Sequence, residues 1–95
     1  MNIENSINNV LAELKVLLIT KNEKYGNSAL DPIRIFSTAD PIEQIKVRID
    51  DKLSRIKTNS DNEDEDVIQD LLGYLVLLRI AITEEAEKLD DEYLS

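Results

Sequence analysis

The chain has 95 residues, of which 20 are acidic and 11 basic, a net charge of −9, with no cysteine and no histidine. That is one small domain with no disulfide and no thiolate site, and any metal would have to be held by oxygen ligands, which favours Mg²⁺, Mn²⁺ or Ca²⁺. The acidic excess argues against duplex nucleic acid and anionic membrane surfaces as partners. The apolar runs fall short of the roughly 20 residues that span a bilayer. No basic stretch followed by a short apolar core marks a signal peptide, so cytoplasm is the expected compartment.

A first helix is predicted over about residues 3–24. Ile3, Ile7, Val10, Leu11, Leu14 and Leu18 recur at amphipathic spacing, and Gly26 stands where a left-handed cap is needed. Continued, the same stripe reaches Lys21 and Tyr25. Lys21 either snorkels to solvent or points its ammonium into a cleft. Residues 27–40 read as an ordered loop, with turn signals at Asn27-Ser28 and Asp31-Pro32. Ile33, Ile35 and Phe36 are expected to pin it to the core, with Arg34 able to face either way.

The second helix is predicted over about 41–57. Asp40 is a good N-cap, Pro41 suits the first turn, and Glu43 completes an acidic capping box. Its apolar stripe is Ile45, Ile49, Leu53 and Ile56. At roughly 100° per residue, Arg48, Asp51, Lys52 and Arg55 fall together beside that stripe. Charge that only solubilises a helix belongs on the far side. Three cations and a carboxylate bordering a buried seam point to a site for a phosphate-bearing ligand.

The third helix is predicted over about 63–89, with Ser60 and Glu63 as a second capping box. First-turn acids suit the helix dipole, which accounts for much of the acidic run from Asp61 to Asp66. From Leu71 to Ile82 only Gly73 and Arg79 interrupt an apolar sequence. A helix with no solvent face must be covered all round, and two other helices in so short a chain cannot do it. The expected fold is therefore all-α: a single domain over 1–95, a three-helix antiparallel protomer forming an oligomeric helical bundle. Heptad spacing is not sustained long enough for an extended coiled coil.

On the third helix Asp66 and Asp70, one turn apart, can share a divalent cation. Asp66 can equally be a dipole-compensating acid, and Gly73 a notch for a neighbouring helix. Asp70 borders an apolar segment and needs a partner if buried; Arg48, Lys52 or Arg55 can supply it. A structural ion-pair network thus explains the same residues.

The pattern Lys21-x-x-x-Tyr25-Gly26, Arg48-x-x-Asp51-Lys52-x-x-Arg55 and Asp66-x-x-x-Asp70-Leu71-x-x-Tyr74 resembles the phage-borne nucleotide-modification-associated domains. More distantly it is similar to the MazG-like all-α nucleotide pyrophosphohydrolases. The likeness covers roughly residues 15–82. It implies an all-helical oligomer of phage or prophage origin, with a nucleotide-type ligand between helices. In the MazG-like enzymes four acids on two helices bind Mg²⁺. Asp66 and Asp70 resemble the second pair, but Asp51 among Arg48, Lys52 and Arg55 stands where the first helix's paired glutamates belong.

Three functions follow as expectations. The first is capture without turnover of a nucleotide or nucleotide-derived immune signal in a basic pocket between helices or between subunits, as an anti-defence sponge that needs no cofactor. Arg48 and Arg55 would grip phosphate, Lys21 and Lys52 would add charge, and Tyr25 or Tyr74 would stack on a base. Asp51 or Asp70 would accept from a hydroxyl or amine. The second is Mg²⁺-dependent pyrophosphate hydrolysis using Asp51, Asp66 and Asp70, with Glu63 or Glu65 as a fourth ligand. The third is an acidic helical module that binds a basic protein surface.

Overall fold

A computed structural model of the chain contains three helices: α1, Ile3–Tyr25; α2, Pro41–Thr58; and α3, Val67–Leu94. The structure describes residues 2–26, 40–59 and 66–94, and no strand occurs among them. The loop residues Ile33, Arg34, Ile35 and Phe36 lie outside this set, as do Ser60, Glu63 and Glu65.

Local chemistry sets the helix ends. The Asn2 side chain accepts from Asn5 N–H at 3.3 Å at the start of α1, and Gly26 ends it in the left-handed conformation (φ 58°) with its N–H donated to the Asn22 carbonyl. Asp40 caps α2 through Ile42 N–H, and Pro41 takes the first turn. Asn59 closes the same helix in the left-handed region (φ 52°), which asparagine tolerates better than most side chains. Helix α3 begins at Val67, later than the sequence pattern predicts, and its cap is Asp66. The Asp66 carboxylate accepts from Gln69 N–H at 2.9 Å, and its carbonyl accepts from Asp70 N–H. At the other end α3 runs past residue 89 to Leu94.

Helices α2 and α3 form the tightest pair. Ile45, Ile49 and Ala81 are buried between them, flanked by Ile42, Leu71, Tyr74, Leu77 and Leu78. Ile45 and Ile49 are each worth about 1.5–3 kcal/mol of burial. The α2 stripe departs from its expected course at Leu53 and Ile56, which stay exposed, while Lys52 is buried at 8% exposure. Lys52 is drawn inward by a carboxylate on α3.

Helix α1 contacts α3 more sparsely. Its apolar stripe divides at Leu14. Leu14 is buried and Leu17 and Leu18 are half-buried, whereas Ile3, Ile7, Val10 and Leu11 are exposed. Helix α3 likewise keeps Leu75, Val76, Ile80 and Ile82 exposed. The three helices therefore cover only part of its apolar run. No helix among the described residues is long and apolar enough to cross a membrane.

Candidate functional site

Where the second half of α1 passes the first turns of α2 and α3, the three helices line a half-open cavity of about 530 Å³. That size lies within the usual range for small-molecule sites, about 300–1,000 Å³. Its apolar floor comes from Leu17, Leu18, Ile45 and Leu77. Gly73 lies in the wall, and a Cβ built there would sit 3.2 Å from Leu18 Cδ2. The missing side chain lets α1 come close to α3 and keeps the cavity open.

Asp70 is the electrostatic centre of the site. Its Oδ1 lies 3.6 Å from Lys21 Nζ, on α1, and its Oδ2 lies 3.4 Å from Lys52 Nζ, on α2. One carboxylate on α3 therefore ties both other helices by charge. The Lys52–Asp70 pair, with side chains 11% and 22% exposed, is less screened than an ordinary surface bridge, whereas Lys21, at 53% exposure, makes a surface pair. Asp70 thus finds the partner that its position beside an apolar segment requires, and Lys52 is the buried one. Lys21 lines the cavity and turns its ammonium toward Asp70, with its side chain still 53% exposed.

Arg48 also lines the cavity, one turn beyond Gln44 on the same face of α2. It is exposed and forms no ion pair with any described residue. Two aromatic rings stand at the rim. Tyr74 is half-buried and packs against the α2–α3 core, whereas Tyr25 is exposed and has the Lys24 ammonium 5.4 Å from its ring centroid. Each can offer a ring surface to a planar group.

The eight residues proposed from sequence divide into two groups. Lys21, Tyr25, Arg48, Asp70 and Tyr74 line the cavity, and Lys52 joins them through Asp70. Asp51 and Arg55 do not line it. They pair with each other along α2 at 3.3 Å, which gives them a sufficient reason to be neighbours. Asn22, Gln44 and Gln69 were not singled out from sequence, yet they add amide groups to the wall. The available signal was positional: Asn22 follows Lys21 on α1, Gln44 precedes Arg48 by four residues, and Gln69 precedes Asp70.

The acids fit a metal centre poorly. Asp66 is engaged as a helix cap, Asp51 faces Arg55, and Asp70 faces two lysines. No group of three or more acidic side chains able to hold a metal ion occurs among the described residues. A Mg²⁺ centre built on Asp51, Asp66 and Asp70 would compete with these partners, above all at Asp70, where both oxygens face lysines. Comparison with models of known protein families, with curated protein sequences and with solved structures finds no match.

Proposed function

We propose that this protein binds a phosphate-bearing nucleotide, or a molecule derived from one, in the α1–α2–α3 cavity and sequesters it. The observation that carries the reading is Arg48: a guanidinium lining a ligand-sized cavity with no carboxylate partner among the described residues. A fork of donors left without an anion is ready to take phosphate oxygens two at a time. Lys21 adds a second cation to the same wall, and Tyr25 and Tyr74 line it with rings on which a base could stack. The acidic surface elsewhere slows an anion's arrival without preventing its capture.

Capture is favoured over hydrolysis by the company that Asp70 keeps. Its neighbours in the site are lysines rather than acids, and a cation-rich wall neutralises phosphate without metal. The resemblance to phage nucleotide-modification-associated domains and to MazG-like enzymes supports the same ligand class. It also supports a phage setting in a host cytoplasm, where holding an immune signal would blunt a defence. Self-association belongs to the proposal as well, because the protomer leaves apolar faces of α1 and α3 uncovered.

The deciding experiment incubates purified protein with nucleoside triphosphates and Mg²⁺, then heats it and identifies what is released. Intact nucleotide recovered in proportion to protein supports sequestration. Pyrophosphate release makes the protein an enzyme, and no retained or altered nucleotide removes the cavity assignment. Native mass spectrometry of protein from phage-infected cells would identify a natural ligand directly.

A further inference from the structure

Three cations and one carboxylate meet at the cavity. Of its described lining residues, only Lys21, Arg48 and Asp70 are charged, and Lys52 approaches Asp70 from outside the lining. Because Asp70 offsets one of the three cations, these four groups leave two positive charges for a ligand. The whole chain carries −9, so its long-range field opposes an anion rather than reinforcing those cations.

Asp70 stands close enough to a bound anion to limit its charge. Its Oδ1 lies 3.6 Å from Lys21 Nζ. A phosphate oxygen bound to that ammonium at about 2.8 Å is then within roughly 6–7 Å of the carboxylate oxygen. That is inside the Debye length of about 8 Å at physiological ionic strength. Lys52 holds the other oxygen at 3.4 Å in a largely withdrawn pair, which keeps the carboxylate in place beside the ligand.

On the nucleotide reading above, on which this rests, we propose that Asp70 makes the cavity select by charge, favouring a nucleotide with about two negative charges over a metal-free triphosphate. Both charges can sit on one phosphomonoester, which carries roughly 1.5–2 at pH 7, or one on each phosphodiester of a cyclic dinucleotide. A free triphosphate brings about four, and its surplus lies beside Asp70 on an acidic protein. Mg²⁺ bound to the triphosphate offsets that surplus, so the limit applies to the metal-free form.

Isothermal titration of the full chain with AMP, a cyclic diadenylate and ATP, all in EDTA at physiological ionic strength, tests the proposal. AMP or the cyclic diadenylate is expected to bind at least about tenfold tighter than ATP, and the tighter of the two shows whether the charges share one phosphate. In 1 M salt the Debye length falls to about 3 Å, and the preference should shrink. A preference that salt leaves unchanged belongs to ligand size and overturns the charge limit. Asp70→Asn should improve ATP binding more than AMP binding, narrowing the ratio several-fold. That variant also deprives the buried Lys52 of its carboxylate, so Asn22→Lys decides if it fails to fold. Asn22 is an exposed lining residue in the last turn of α1, where a cation suits the helix dipole, and the added charge should narrow the ratio likewise. An unchanged ratio in the folded variants overturns the proposal. So does ATP binding to the parent chain as tightly as AMP and the cyclic diadenylate, although nucleotide binding itself would then stand. If no nucleotide binds the parent chain, the nucleotide reading falls and the charge limit falls with it.

Discussion

Arg48→Ala is the most direct probe of the site, because the structure separates its functional cost from its structural one. Arg48 is exposed and forms no ion pair among the described residues, so truncating it removes no tie between helices. Surface changes of that kind usually move stability by about 0.5 kcal/mol or less. A bound phosphate, by contrast, would lose hydrogen bonds to a charged group, worth about 1.5–3 kcal/mol. At 1.4 kcal/mol per factor of ten, the affinity for ATP or pyrophosphate falls about 10- to 150-fold. Isothermal titration at low ionic strength measures this, and thermal unfolding of the same samples shows that the fold is intact. Arg55→Ala is the internal control. Arg55 is outside the cavity and pairs with Asp51, so its loss should leave affinity nearly unchanged. Equal affinity of the Arg48 variant and the parent chain would refute the reasoning, as would an equal fall in both arginine variants.

Three further outcomes follow from particular contacts. Asp70→Asn should move binding and stability in opposite directions. Phosphate affinity rises several-fold because a competing anion leaves Lys21 and Lys52, while unfolding free energy falls by about 1–3 kcal/mol because the buried Lys52 loses its carboxylate. Titration calorimetry and urea unfolding read the two separately. Gly73→Ala should also split the two measurements. An alanine inside a helix gains about 1 kcal/mol over glycine, and the Leu18 Cδ2 that it meets at 3.2 Å is a side-chain tip able to swing toward the cavity. Thermal midpoint therefore rises slightly while nucleotide affinity drops, and a lower midpoint would show that Leu18 cannot give way. Asp40→Ala removes the acceptor for Ile42 N–H and should cost about 1 kcal/mol, measured by urea unfolding with ligand absent.

Much of the fold was legible because helix signals are local. The helical periodicity of α1 and α2, the Asp40-Pro41 start and the Gly26 stop are each set by residues a few positions apart, and the structure places the helices and these ends as read, although Leu53 and Ile56 and the first half of the α1 stripe stay exposed. The start of α3 was less legible. Several acids precede it, any of which is a credible cap, and only the folded chain assigns that role to Asp66. The same ambiguity affected the site. On a helical wheel Arg48, Asp51, Lys52 and Arg55 are neighbours, but a wheel carries no information about what lies opposite.

The order of residues along the chain was enough to establish three helices, the acidic excess and the surplus of apolar faces, since each depends on composition or on spacing within one helix. Tertiary structure alone decided that Asp70 would collect Lys21 from α1 and Lys52 from α2. It alone left Arg48 at the cavity without an acidic partner among the described residues. These outcomes depend on how the helices cross and how far each side chain reaches across the gap. Periodicity within a single helix contains neither distance.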